Sequence, residues 1–270
     1  MINALLRSYP RRRSVRLLAP LLLLALSPPR LGAQPPTPQA ATLLSQSLAA
    51  LTHGTAVTDA KLQANVNYVA GSDEESGAAT LEALGHLDSL VVLNLSGGQR
   101  QQVQNGEQAA STGPGGQQQL AALHNSLNPA AWFFPALVIE GLLQDASYSV
   151  TYAGLENLNG VSVNHLQAAR TLPGQGDAAT TALLLQLTAF DLYIDAGTFL
   201  PVALNFNTHP GNNALQDFPI GIEFSDYRNS GGVVTPFHVQ KLLQRSLLLD
   251  ISMTSVAINT GLTASDFQIQ

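Results

Sequence analysis

The sequence predicts an α+β chain that is mostly β, a single curved antiparallel sheet whose concave face is covered by helices. Three observations predict it. Long stretches alternate apolar and polar residues with a period of two, the pattern of strands that have one wet face. Turn dipeptides such as Asn105-Gly106 and Gly231-Gly232 fall between such stretches, where short hairpin loops need positive φ. Two or three helical segments interrupt this rhythm, and one is apolar nearly all round, so it must be covered on several sides.

The first residues, "MINALLRSYPRRRSVRLLAPLLLLALSPPRLGA", carry a basic region, an apolar core from Leu17 to Leu26 and a small-residue end before Gln34. These are the marks of a secretory signal peptide over 1–33, too short and wrongly flanked for a membrane anchor. Arg12-Arg13 leaves a twin-arginine signal open beside ordinary export. The expected product is periplasmic or secreted. Six of the twelve basic residues and none of the eighteen acidic ones precede Gln34, so the remainder holds six basic against eighteen acidic side chains, which leaves −12. So acidic a body is a poor nucleic-acid binder, because phosphate binding needs a basic patch. The chain has no cysteine, which excludes a disulfide framework and a thiolate zinc site. Beyond residue 40 no apolar run approaches the roughly 20 residues of a membrane span.

Residues 34–39, "QPPTPQ", read as a proline-rich tether that does not pack. From Ala40, Leu44, Leu48 and Leu51 recur at helical spacing, and His53-Gly54 supplies a C-cap. In "KLQANVNYV", Leu62, Ala64, Val66 and Tyr68 oppose polar partners, as in a strand; "DEESG" reads as the next turn. "ATLEALGHLDSLVVLNL" is two strands, or one interrupted at Gly85. Asn105-Gly106 then makes a hairpin, and "TGPGGQQQ" reads as a loop whose glutamine bias is compositional only. "QQQLAALHNSLNP" and "AAWFFPALVIEGLLQD" read as helices, forming a helical lid insertion at about 117–145, with Pro135 expected to end or kink the second. Strands return after Ser147, including "LLLQLTAFDLYID", "FLPVALNFNTH", "IGIEFSDYR", "VVTPFHVQKLL" and "SLLLDISMTSVAIN". One domain over 40–270 is expected.

Candidate chemistry is sparse. The six histidines form neither H-E-x-x-H nor an i, i+4 pair, so no metal or other cofactor is expected. No nucleophile elbow, phosphate loop or dinucleotide fingerprint occurs. Asp191, Asp195 and Asp226 fall among polar strand positions or near turns, where solvated carboxylates are the better reading than a tuned acid/base set. "FSDYRNSGGVVTPFHVQKLL" gathers Asp226, Tyr227, Arg228 and His238 as a catalytic cluster would. Its glycine pair marks it as a hairpin instead, with Asp226 and Arg228 sharing a strand face as an exposed ion pair, and Pro236 pointing to an edge position or a bulge. No catalytic residue is expected.

"YIDAGTFLPVALNF", "IEFSDYRNSGGVVTPFHV" and "LLLDISMTSVAINTGLTASDF", in this order, resemble the C-terminal half of the LolA/LolB-like outer-membrane lipoprotein-sorting proteins. The resemblance is carried by Asp195 with Leu200-Pro201, by Asp226-Tyr227-Arg228 with Gly232 and Pro236, and by Asn259 with Asp266-Phe267. It implies an open half-barrel with helices plugging its mouth, and a periplasmic carrier that is not an enzyme. The best-studied carriers tie the lid with an arginine on an early strand. Before Arg170 the exported part offers only Lys61 and Arg100, neither in a matching motif, so no gating residue is carried over.

The sharpest candidate ligand surface is Trp132, Phe133 and Phe134 with Leu137 on the lid. The groove beneath would be the apolar strand face: Leu192, Ile194, Leu204, Phe206, Ile222, Phe224, Phe237, Val239, Ile251 and Met253. A lid over an apolar groove would hold lipid or lipoprotein acyl chains, since burial is worth about 0.8 kcal/mol per methylene. The protein would act as a monomer, with a membrane-associated donor or acceptor protein as a further partner. The other reading is a structural or interaction module with a filled core and no lipid.

Overall fold

The computed structural model describes residues 35–171 and 177–269; the expected signal peptide lies outside them. Among the described residues thirteen antiparallel strands form one open sheet, in the order β6 (Gln118–Leu120), β5 (Gln108–Thr112), β4 (Gly98–Asn105), β3 (Asp88–Leu95), β2 (Asp73–Leu84), β1 (Asp59–Ala70), β13 (Ser246–Ile258), β12 (Val233–Leu243), β11 (Phe218–Ser230), β10 (Pro201–Thr208), β9 (Phe190–Asp195), β8 (Val161–Arg170) and β7 (Tyr148–Leu158). The arms β1–β6 and β7–β13 are meanders, joined where β1 (Asp59–Ala70) pairs with β13 (Ser246–Ile258). The helices α1 (Pro38–Thr52) and α2 (Pro135–Gln144) pack together in the core made by the inner sheet face. The sheet is therefore the curved, helix-covered one that alternation predicts.

The tether expected at 34–39 is partly ordered. Thr37 N–H donates to the Val150 carbonyl at 2.9 Å, its side chain caps α1, and Pro38 starts the helix, where its missing N–H costs nothing. His53 ends α1 at φ 50° and Gly54 follows at φ 84°, as the His-Gly pair predicts. The first turn is Gly71-Ser72; "DEESG" begins β2 (Asp73–Leu84) instead. Gly85 lies in the turn between β2 and β3 (Asp88–Leu95), which settles two strands over one.

The middle differs more. "QQQLAALHNSLNP" holds a short edge strand β6 (Gln118–Leu120) and a 3-10 turn, Leu123–Asn125, not a helix. Pro135 begins α2 rather than ending it, and Ala131 to Phe134 form a turn closed by Phe134 N–H to the Ala131 carbonyl. In place of the two helices expected over about 117–145 stands one ten-residue helix with an aromatic turn in front of it. Leu183 to Leu187, expected as strand, belong to α3 (Ala178–Leu187), capped by Asp177, which accepts from Thr180 N–H at 2.7 Å. β9 (Phe190–Asp195) starts only after it.

The hairpin of β11 (Phe218–Ser230) and β12 (Val233–Leu243) turns on Gly231 and Gly232 at φ 61° and 88°. Arg228 Nε meets Asp226 Oδ1 at 3.0 Å on the exposed surface. Asp226 itself has φ 52° and interrupts the β11–β12 register opposite Phe237. Pro236 precedes His238, where pairing of β12 with β13 begins, so β12 is locally an edge there. Asp226→Ala and Arg228→Ala are expected to move the melting temperature by less than about 2 °C, as exposed ion pairs do. Gly232→Val should lower it clearly further, since a β-branched residue resists that φ and its Cβ would meet Thr55 Oγ1 at 3.3 Å. Thermal melts of the three variants check this ordering.

Candidate functional site

Cross-strand register assembles the inner face row by row. One row runs Leu166, Leu192, Leu204, Ile222, Lys241, Leu249 and Tyr68 through β8, β9, β10, β11, β12, β13 and β1. Leu166, Leu192 and Ile222 in it are fully buried. Lys241 is the one cation in the row. It has no carboxylate within ion-pair distance among the described residues, whereas Lys61, Arg100, Arg170 and Arg228 each have one. Its Nζ stands 4.5 Å from the Trp132 ring centroid, a cation over an aromatic face. Burial holds its pKa down at about 8, because low dielectric penalises the charged amine.

A second row explains the glutamine-rich segment. Leu62 on β1, Leu81 on β2 and Val91 on β3 are followed by Gln102 on β4 (Gly98–Asn105) and Ser111 on β5 (Gln108–Thr112). Arg100 and Gln104 share this inner face, while Val103 and Ala110 pack with Phe267 in a small core on the other side. The inner wall thus turns from apolar to polar at β4, where Gln102 and Gln104 face inward. Gln104 Nε2 donates to the Ser126 carbonyl at 2.8 Å and the Asn128 carbonyl at 3.2 Å, which ties β4 to the segment leading into Trp132. Arg100 is held at 2.6 Å by Glu75, and its guanidinium lies 4.8 Å from the Tyr68 ring centroid.

Two adjoining cavities open between the polar wall and the apolar rows. The larger, about 620 Å³, is bounded by Tyr68, Val91, Leu93, Leu249 and the β4–β5 side chains. The smaller, about 330 Å³, is bounded by Trp132, Phe206, Ile220 and Leu243. Both include Lys241, Gln102, Ser111, Val91 and Leu248. A third hollow of about 950 Å³ lies against outward-facing polar residues of β7–β12 such as Thr151, Gln167, Asn205 and Glu223. Ala168, Phe190 and Ile220 line it beside these, and Arg245, the one cation among its lining residues, is exposed.

Of the candidate groove and lid residues, only Trp132 and Phe206 border a cavity on the inner side. Phe133, Phe134, Leu137, Leu192, Ile194, Leu204, Ile222, Phe224, Val239, Ile251 and Met253 are packed into the core under α1 and α2. Phe237 is half-buried against the same core, with the exposed Arg228 guanidinium 4.8 Å from its ring centroid. Open space therefore lies beside the expected groove, toward β3–β5. Lys241 escapes a search for apolar candidates, although Phe237, Val239, Lys241 and Leu243 alternate and place it inward.

The polar candidates have local structural partners. Asp191 accepts from His165 at 2.7 Å. Asp195 caps its turn through Gly197 N–H and Thr198 N–H at 2.9 and 2.7 Å. Ser225, His238 and Asp250 form a hydrogen-bonded line across three strands, each contact 2.9 Å; Ser225 is on the exposed surface, where nothing shields a nucleophile from water. Among the described residues no group of three or more metal-ligating side chains converges. No helix there is long and apolar enough to cross a membrane, which says nothing of strands.

The marks that carry the family resemblance are scaffold contacts. Tyr227 OH donates to the Pro201 carbonyl at 2.7 Å. Asn259 accepts from Thr58 N–H at 2.8 Å and clasps the C-terminal end to the start of β1. Asp266 closes a capping box with Thr263.

No family model and no curated protein sequence matches the chain. Solved structures do. A putative outer membrane lipoprotein-sorting protein domain from Vibrio parahaemolyticus superposes with a TM-score of 0.53 at 13% identity, covering 84% of this chain and 95% of that one. A LolA superfamily protein from Nitrosomonas europaea gives 0.53 at 11% identity, covering 84% and 96%. A DUF1329 family protein from Desulfovibrio piger gives 0.52 at 13% identity, covering 87% and 98%. The chain has the open half-barrel fold of the LolA superfamily and of outer-membrane lipoprotein-sorting domains.

Proposed function

We propose that this protein is an exported, non-enzymatic carrier that holds acyl chains of lipids or lipoproteins inside the half-barrel. The observation that carries this reading is unfilled space on the inner sheet face, about 620 Å³ and 330 Å³ in two adjoining chambers, a size that suits one small amphiphile. The signal-like N-terminus and a fold shared with a lipoprotein-sorting domain support export and carriage. Trp132 borders the smaller chamber and leads directly into α2, so the aromatic turn and α2 act as lid. A membrane-associated protein that loads or unloads the cargo fits this role.

The second reading, an interaction module without lipid, is favoured by one observation: most of the apolar strand face is already filled by side chains of α1 and α2. Titration with an uncharged acyl ligand, hexadecanol, separates the two. The carrier reading expects saturable uptake of one molecule per chain with a shift in the emission of Trp132, the only tryptophan. An unchanged spectrum with no bound ligand after gel filtration, for hexadecanol and for palmitate alike, would favour the module.

A further inference from the structure

We propose that the cargo is a long-chain amphiphile with a single anionic head, a fatty carboxylate, and that Lys241 is its head-group receptor. The inference rests on the carrier reading and adds the chemical class of ligand and its orientation. Lys241 occupies the one position in an otherwise apolar cross-strand row where a charge is set inward. An ammonium group in such surroundings costs stability unless it is paired. No carboxylate of the described residues pairs it, although eighteen acidic side chains occur in the chain, and Arg100 at the same wall is already neutralised by Glu75. Trp132 supplies a partial counter-field at 4.5 Å but leaves the ammonium donors without an anion.

The surroundings fit one carboxylate better than a bulk apolar cargo. Lys241 borders both chambers, together with Gln102 and Ser111, whose amide and hydroxyl are uncharged donors suited to the same oxygens. A charge-assisted hydrogen bond in a partly desolvated site is stronger than its equivalent in water. The chain then lies along Val91, Leu93 and Leu249 in the larger chamber, head inward at the junction. One unpaired cation matches one negative charge; a dianionic phosphate would keep one charge uncompensated beside the half-buried Lys241.

Binding of palmitate and of hexadecanol to delipidated protein, followed by Trp132 emission and by mass, tests the inference on the wild type, Lys241→Met and Lys241→Arg. The wild type is expected to take palmitate at least tenfold more tightly than hexadecanol. Lys241→Met should collapse that ratio to near one, and Lys241→Arg should restore most of it. Circular dichroism verifies that each variant is folded. Equal affinity of the wild type for both ligands, or an undiminished preference in Lys241→Met, overturns the head-group assignment and leaves the carrier reading standing. If the wild type takes up neither ligand, the carrier reading fails and the assignment falls with it.

Discussion

Phe133→Ala is expected to destabilise the protein by about 3 to 5 kcal/mol, the usual cost of emptying a phenylalanine site in a close-packed core. Phe133 is fully buried and meets Trp132 edge-on with ring centroids 5.4 Å apart. Its loss removes apolar burial and the support of the wall that Trp132 presents to the smaller chamber. The strands keep their ladder bonds, so the far-ultraviolet spectrum should be retained below the melt while Trp132 emission moves to the red. Chemical denaturation at 25 °C measures the change. A loss under about 1 kcal/mol would remove Phe133 from the packing that holds α2. Saturating acyl ligand should return part of the stability by mass action, because only the folded state binds it.

Lys241→Met is expected to act in the opposite direction, raising stability by roughly 1 to 3 kcal/mol at neutral pH. The amine's pKa falls from 10.5 to about 8 on burial, and each tenfold loss of proton affinity corresponds to about 1.4 kcal/mol, discounted here because the group faces a cavity. Between pH 8 and 10.5 the unfolded chain binds more protons than the folded one, so wild-type stability rises with pH through that window; below about 8 the penalty is present in full. Tyr148, pushed up to about 12 by burial, and Tyr227, raised by the same cause, act with the opposite sign above about pH 10, the ordinary tyrosine value. They are common to both proteins, so the difference between the two stability curves from about pH 7 to 10 isolates Lys241. A residue whose replacement improves the fold but weakens binding of an anionic lipid is retained for binding, not for structure.

Much of this architecture is legible in the sequence because period-two alternation and turn chemistry act locally. Leu249, Ile251 and Met253 read as one face of a strand and are that face. Gly231, Gly232 and Gly106 mark hairpins because their backbone takes positive φ. The errors arise where one local signal serves two structures. Leu183 to Leu187 is a short apolar run, and such a run suits a buried strand as well as a helix; Asp177, ahead of the run, is the cap that decides for α3. Pro135 punctuates a helix, but proline is as suited to a first turn as to a break. The cavity is the least legible part. It lies between β3–β5 and β12–β13, strands far apart in the chain, and depends on which face of β4 turns inward. Most of the apolar residues that read as lining a groove are the ones that fill it.

The most direct measurement is native mass spectrometry of the protein purified from its own host without detergent or denaturant. A carrier should show a population heavier than the bare polypeptide by one acyl species, released on denaturation as a fatty acid, and re-formed when delipidated protein is given palmitate. A spectrum at the polypeptide mass alone, with delipidated protein that takes up no acyl ligand at any chain length, would contradict the carrier account and leave the half-barrel as an interaction module.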